Sequence, residues 1–555
     1  MAALIALVAF GLFYFVGYRR YAKRLADRVF GLSDTERTPA HDPTLHDGID
    51  YVPTNRHILW GHHYASIAGA APIIGPAVAV IWGWLPALFW VVVGTIFIGA
   101  VHDFGALVLS ARKGGRTIGD LAGSVIHPRV RILFQIIIYF LIWIVLAVFA
   151  FAIGVLFDTY PATVIPINFE IVVAVVIGYL FYKRGTPILV PSLIALVLLY
   201  AMVAVGIRVP LSLSGVIGPD GWIPGDPVTA WALFLLCYAA VASVLPVWVL
   251  LQPRDYINAH QLIVGLLGLI LGLLVLHPAM NAPALNLHPA GAPPLFPIIF
   301  ITIACGSISG FHGLVSSGTT SKQLDRMTDA RPIGYGGMLG EGTLAVIATL
   351  AVAAGLPDWG AHYRSWDASG IHAIANFVRG AGTFLTALGL QEDWAQAVVA
   401  VLAISFAATS MDTGARIQRF IVTELGEAFG IGILRNRYLA TLLAVGPAIP
   451  LVLAGKRVWA PLWLLFGTTN QLIGGVTLLV LVVYLLAARR PLLSYLLPMV
   501  FLLTMTSAAM GYNLFTWIVE GKGPIVTIVI GALILLLECW VIVEAVLVIR
   551  KIRRT

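Results

Sequence analysis

Apolar positions in this chain neither alternate nor recur on one helical face. They run on in blocks of about twenty, bounded by short clusters of charge, glycine and proline. Fifteen blocks fall at 1–18, 62–82, 84–110, 132–157, 169–182, 187–207, 228–251, 260–277, 295–315, 335–356, 394–411, 438–455, 460–487, 491–511 and 524–549. Most approach the ~20 residues a helix needs to cross ~30 Å of hydrocarbon. None of the 34 lysines and arginines lies inside a block. The pattern predicts an all-α polytopic membrane protein of about 15 transmembrane helices.

Composition agrees. Charged residues are 11% of the 555 and apolar ones 59%, with a mean hydropathy of +0.93; an ordinary soluble domain carries about 25% charge. A set of water-soluble domains is excluded. The net charge of +8 invites a nucleic-acid reading, but its distribution removes it. With the N-terminus outside, 28 of the 34 basic residues fall on one side of the membrane, as the positive-inside rule requires. The expectation is a multi-pass protein of the cytoplasmic (inner) membrane, N-terminus outside and C-terminus inside, with lipid as its partner and no nucleic acid. Met1–Tyr18 has its positive cluster after the apolar run, which reads as a retained anchor and not a cleaved signal. Cys237, Cys305 and Cys539 are scattered and read as small buried apolar residues.

Chemistry is sought where the spans should break. Two prolines and two glycines lie between Gly69 and Pro76, which no regular helix at membrane depth accommodates. The seventh span carries Pro246, followed by Trp248. Spans 2 and 7 are five apart and run in opposite directions, which suggests inverted five-helix repeats that each open with an interrupted helix. Free amides near Ala70, Ala71, Ile73 and Gly75 would favour an anionic group. Ser66, Pro246 and Trp248 would complete that wall. The ninth span concentrates Ser309, His312, Ser316, Ser317 and Thr320 where lipid contact would demand leucine and valine. Close helix packing explains the small residues; hydroxyl ligands and a proton-carrying His312 are the functional reading. Asp103 and Asp412 are the ionisable candidates for coupling, each also placed to pair with inner arginines such as Arg112 and Arg416. Glu341 lies early in span 10, while Glu538 lies outside both repeats.

The remaining features read more plainly. Residues 416–437 place Ile417, Phe420 and Ile421 on one face, as an amphipathic cytoplasmic helix would. Pro278–Pro294 should lack regular structure, and Asp358–Asp393 could cover the outer vestibule. Trp82, Trp84 and Trp90 suggest an interfacial belt. The domains expected are an anchor and basic segment (1–61), two five-helix repeats (62–227 and 228–415), the amphipathic helix (416–437) and further spans (438–555).

Nine ordered motifs between about Arg56 and Gln471 resemble the carbon starvation protein A family. They are His62-His63-Tyr64-Ala65-Ser66-Ile67-Ala68-Gly69, Gly75-Pro76-Ala77, Trp82-Gly83-Trp84-Leu85-Pro86-Ala87, Gly99-Ala100-Val101-His102-Asp103-Phe104 and Ser307-Ile308-Ser309-Gly310-Phe311-His312. The others are Ser316-Ser317-Gly318-Thr319-Thr320-Ser321-Lys322-Gln323, Ile333-Gly334-Tyr335-Gly336, Met411-Asp412-Thr413 and Phe466-Gly467 with Asn470-Gln471. The resemblance implies a bacterial or archaeal transporter tied to nutrient limitation, with uptake of peptides or pyruvate. It also implies the amino acid–polyamine–cation type of inverted-repeat fold.

The function expected is secondary active transport by alternating access, without catalysis or a resident cofactor, and with Na⁺ or H⁺ as coupling ion. No P-loop is present to supply ATP drive. One rival is a metal-dependent intramembrane enzyme using His57, His62 and His63 with Asp103; another is a channel or nutrient sensor on the same scaffold. Oligomeric state is left open.

Overall fold

A computed structural model describes residues 2–45, 50–185, 189–218, 221–246, 248–366, 370, 372–455, 459–521 and 523–552. Lys456, Arg457, Lys522, Arg553 and Arg554, which enter the charge count, lie outside the described residues.

The described chain is helical, with two isolated β-bridges and no extended sheet. Its helices are α1 (Ala2–Phe30), α2 (Arg56–Ile67), α3 (Ala71–Trp82), α4 (Trp84–Arg112), α5 (Ile118–Val125), α6 (Pro128–Thr159), α7 (Pro161–Arg184), α8 (Leu189–Arg208), α9 (Pro227–Val244) and α10 (Leu251–Leu276). Then come α11 (Leu295–Thr302), α12 (Gly310–Gly318), α13 (Met327–Gly355), α14 (Ala373–Thr386), α15 (Glu392–Ala428), α16 (Arg437–Leu453), α17 (Trp459–Ala487), α18 (Leu493–Val519) and α19 (Ile525–Ile552). Local chemistry sets several starts. Pro128, Pro161 and Pro227 open helices at positions whose N–H would be unpaired anyway. Asn55, Thr117, Asp226 and Asn436 cap first turns with side-chain oxygens.

Twelve of these helices are long and apolar enough to cross a membrane, thirteen if the bent pair α2–α3 counts as one. Two of the fifteen expected spans fall short. The ninth is split into α11 and α12, and the twelfth, α16, is a shorter apolar helix.

Burial separates a centre from a rim. The most apolar stretches of α13, α15, α17 and α6 are 78–89% buried within the protein, against 33–44% for α8 and α9. The α7–α8 hairpin and α1 leave residues such as Phe13, Val172 and Val197 exposed, as a lipid-facing surface would.

Three local expectations change. Arg416–Ala428 is no separate surface helix: α15 continues through it for 37 residues, with Ile417 and Ile421 buried. Trp82 and Trp90 are buried and form no belt. The Trp82 indole N–H donates to the Pro293 carbonyl at 3.2 Å, and Trp90 stacks edge-on against Phe300. Of the cysteines, Cys237 and Cys539 are exposed and only Cys305 is buried.

Pro278–Pro294 is irregular, as expected, and it lies over the end of the bundle opposite the arginine-rich one. The Trp84 and Leu85 amides donate to the carbonyls of Pro283 and Ala284. The following segment adds to this cover. The Tyr363 hydroxyl donates to the Ala77 carbonyl at 2.7 Å, and Trp366 packs on Trp82 with ring centres 5.2 Å apart. Partial burial and the nearby Arg379 hold the His362 imidazole of this cover below its ordinary pKa.

Candidate functional site: two breaks and a sealed polar cluster

The first break is short. Helix α2 ends at Ile67, α3 starts at Ala71, and the two halves bend by 49°. Pro72 sits in the first turn of α3, where a proline is tolerated, and Gly75 and Pro76 lie inside the helix. The break is therefore at Ala68–Ala70, upstream of most of the residues that predicted it. The α3 start carries Ala70, Ala71 and Ile73, all buried, with the Ala71 amide among the groups that have no intrahelical partner.

The second break is longer, running from Ile303 to Ser309, and its backbone groups are met by side chains from elsewhere. The Asn470 amide oxygen accepts from the Phe311 N–H at 3.0 Å and from the Ser309 hydroxyl at 3.1 Å. Gln471 donates to the carbonyls of Phe300 and Ile303, and the Trp90 indole also donates to Ile303. The Thr95 hydroxyl donates to the Gly306 carbonyl at 2.8 Å. Gly306 itself has φ +88°, a conformation that a side chain strains. Without these partners the open turn would not survive at membrane depth.

The two breaks touch. Gly306 approaches Pro72, and a β-carbon on Gly75 would stand 2.5 Å from the Thr302 carbonyl oxygen. Interrupted span 2 thus meets the break in span 9, and the expected meeting with Pro246 in span 7 does not occur. Pro246 interrupts no helix: α9 ends at Val244, α10 starts at Leu251, and Pro246 and Trp248 lie in the connection between them. Trp248 packs on Tyr182 and Lys183 at the arginine-rich end, away from the breaks.

Beside the second break lies a cluster of ionisable groups, all fully buried. Asp103, on α4, takes His102 Nδ1 on one oxygen at 2.7 Å and His312 Nδ1 on the other at 3.0 Å. The His312 Nε2 faces Glu341, on α13, at 3.4 Å. Neither Glu341 oxygen nor His312 Nε2 has a well-formed hydrogen bond. Donor atoms of Cys305, His312 and Glu341 all lie within 4.8 Å of one another, a spacing that suits a shared proton or a small cation. Asp103 pairs with histidines and not with Arg112, which is bound to Glu36 at 2.6 Å.

Around this cluster, the Thr320 hydroxyl meets His63 Nδ1 at 2.9 Å, and the Ser317 hydroxyl accepts from the Ile118 N–H. Ser66 and Ser316 are buried with free hydroxyls, and the Ser66 carbonyl accepts from Ser410 at 3.5 Å. His62 and His63 are not brought together on a common site: His62 Nδ1 pairs with Asp255 at 2.9 Å, and His63 turns to Thr320.

A second charged cluster was not foreseen. Arg254, 1% exposed, holds Asp412 through Nη1 and Glu170 through Nε at 3.1 Å. Tyr238 bridges it, accepting from Arg254 and donating to Asp412, each at 2.8 Å, while Ser405 donates to Glu170. This knot ties α10, α15, α7 and α9 together. Asp412 therefore pairs with Arg254 and not with Arg416, whose guanidinium donates to the Ala242 and Leu245 carbonyls at the end of α9. Glu538 takes a hydrogen bond from Ser507 between α18 and α19, far from both breaks in sequence.

Two hollows open toward the arginine-rich end. One of about 750 Å³ reaches Trp248 and Tyr256; the other, about 180 Å³, reaches Gly318, Thr413 and Arg416. His62, Gln252 and Gln323 line both.

Touching breaks, a sealed polar cluster and a hollow on one side define a multi-pass membrane transporter. The solved structure of MhsT in complex with L-phenylalanine shares the fold, with a TM-score of 0.51 over 88% of this chain and 99% of that one, at 11% identity. The family model for Carbon starvation protein CstA matches residues 1–361 and 359–509, and this chain belongs to that family. The chain is 33% identical over 550 residues to the peptide transporter CstA of Mycobacterium tuberculosis, covering 87% of this chain and 71% of that protein. It is 39% identical over 362 residues to the pyruvate/proton symporter BtsT of Escherichia coli, covering 63% of this chain and 49% of that protein.

Proposed function

We propose that the protein takes up small carboxylate-bearing solutes, short peptides or pyruvate, by proton-coupled alternating access, and that it is a transporter without catalytic activity. The arginine-rich end faces the cytoplasm, the N-terminus lies outside, and the geometry is inward-facing, with the 278–294 and 358–393 cover over the outer side. The repeats pair α2–α3 with α11–α12, α4 with α13, α6 with α15, α9 with α16 and α10 with α17; the α7–α8 hairpin is inserted in the first. Counting both interrupted spans and α16 as crossings gives fifteen.

The observation that carries the coupling is the buried group of Asp103, His312 and Glu341, drawn from three elements and left incompletely hydrogen-bonded beside the break. Ionisable side chains at that depth are retained for transport more readily than for stability. Substrate carboxylate binds the α3 start at Ala70–Ala71, beside Ser66, where amides and the helix dipole favour an anion. The proton sits on the His312–Glu341 pair and leaves past His63 and Thr320 toward His62 and the inner hollow.

The test uses purified protein in liposomes, with labelled dipeptides and pyruvate under pH or Na⁺ gradients. Accumulation driven by a pH gradient is expected. Glu341→Gln should abolish accumulation while leaving exchange of solute across the membrane. No accumulation of any such solute under either gradient overturns the reading, and drive by Na⁺ alone overturns the choice of proton.

A further inference from the structure

A second binding feature lies on the outer wall of the bundle, lined by no residue of either charged cluster. Between α9 and α16 runs a groove of about 540 Å³, lined by Leu236, Ala240, Val244, Leu442, Val445 and Ile449. Its lining is apolar except for Thr441 and, at one end, Tyr438, and Val241 and Leu442 on its walls are 62% and 64% exposed. In a membrane protein such a surface meets acyl chains, so exposure alone names no specific occupant.

Charge at one end does. The groove finishes at Leu245 and Tyr438, at the arginine-rich end. There the Arg437 guanidinium stacks on the Tyr438 ring at 4.9 Å and donates to its hydroxyl at 2.8 Å. Arg419, stacked on Phe420 at 4.7 Å, is close enough to Arg437 for the two to repel. Arg416, next to them, is tied by Nη2 to the Ala242 and Leu245 carbonyls, with its Nε left without a partner. Asp50 acts on Arg416 and Arg419 from a distance, but among the described residues no carboxylate comes within 4 Å of Arg419 or Arg437. The nearest arginine that is paired, Arg435, uses Glu427 at 3.7 Å. The Arg419 Nε is buried without a partner.

Like charges gathered beside an apolar channel at membrane-interface depth match one ligand: a diacyl lipid with an anionic head group. A zwitterionic lipid would bring its own cation toward the two arginines. We propose that the α9–α16 groove binds one anionic phospholipid, its acyl chain along Leu236–Val244 and its phosphate between Arg419 and Arg437. The lipid fills the cleft beside the direct α9–α16 contact, and Arg437 reaches the head group without leaving its tyrosine stack.

The experiment reconstitutes the full chain in nanodiscs of phosphatidylcholine with or without phosphatidylglycerol. Retained lipid is counted by native mass spectrometry, and melting is followed in parallel. Wild-type protein should keep one phosphatidylglycerol and melt higher in its presence. Arg437→Gln, at an exposed position that should not disturb folding, should weaken retention about fivefold, and Arg419→Gln/Arg437→Gln by a further similar factor. Leu442→Trp, which fills the groove and leaves both arginines, should weaken retention as well. Equal retention of both lipids by the wild type overturns the proposal. So does undiminished retention by the double variant. Inorganic phosphate that displaces the lipid, together with an unaffected Leu442→Trp, makes the site one for free anions and also overturns it. A second copy of the chain filling the groove, seen as a dimer that phosphatidylglycerol leaves intact, does the same.

Discussion

Two buried charged clusters stand within one bundle, and they are finished to different degrees. Around Arg254 each acid has partners: Glu170 takes Arg254 on one oxygen and Ser405 on the other, while Asp412 takes Arg254 and Tyr238 on Oδ2 and leaves only Oδ1 over. Around His312 the set is left open, with His312 Nε2 and both Glu341 oxygens short of hydrogen bonds. A network whose charges are paired locks helices in one arrangement, while one left largely unpaired holds free energy that a proton or solute can release. The first is a fastening and the second a seat.

Breaking the fastening should have the largest effect. Arg254→Met strands two buried carboxylates and should destabilise the protein by about 3–5 kcal/mol, read as a lower melting temperature and poor recovery of folded protein. Adding Glu170→Met and Asp412→Leu should recover much of that loss, because a packed apolar set replaces a buried ion pair with little penalty. If the triple variant melts no higher than the single one, the knot has a role beyond charge balance. Next comes the support of the second break. Asn470→Ala leaves the Phe311 N–H and the Ser309 hydroxyl unpaired and should remove about 1–3 kcal/mol. Transport should fall more steeply than stability, since the break positions Cys305 and His312. An Asn470→Ala protein that transports normally would detach the break from the site. The smallest effect belongs to Thr320→Val, which takes the partner from His63 Nδ1. A loss of about 1 kcal/mol is expected, with pH-driven uptake slowed and solute exchange unchanged.

How these regions appear in the sequence differs as sharply as their chemistry. The open cluster was legible: serines, glycines and His312 stand out in a span where lipid would select leucine, and Asp103 and Glu341 stand out by charge. The Arg254 knot was not. Arg254 follows Gln252-Pro253 and reads as an inner-loop charge, and Glu170 lies at the edge of the short block 169–182. Their partners are 84 and 158 residues from Arg254, and no local pattern encodes that distance. Tyr238 looks like any aromatic in a membrane helix. Pro246 misled for a related reason. A proline marks a break, but only the length of regular helix on each side says whether the break is a gap within a span or its end. The charge pattern and the break in span 2 were readable because both depend on neighbours in sequence. The contact between the breaks of spans 2 and 9 joins residues more than 200 positions apart, such as Gly75 and Thr302, and no local pattern encodes it.

Helix α15 runs unbroken for 37 residues. At 1.5 Å per residue it is about 55 Å long, well beyond the ~30 Å of hydrocarbon it crosses. Along that single rod lie Ser405 on Glu170, Ser410 on the carbonyl of Ser66, Asp412 on Arg254 and Arg416 on the end of α9. A stiff rod cannot move one of these contacts alone. Any tilt that frees Ser410 from the first break must also load the Arg254 knot and tug the end of α9, so α15 acts as a single lever that makes the pieces shift together.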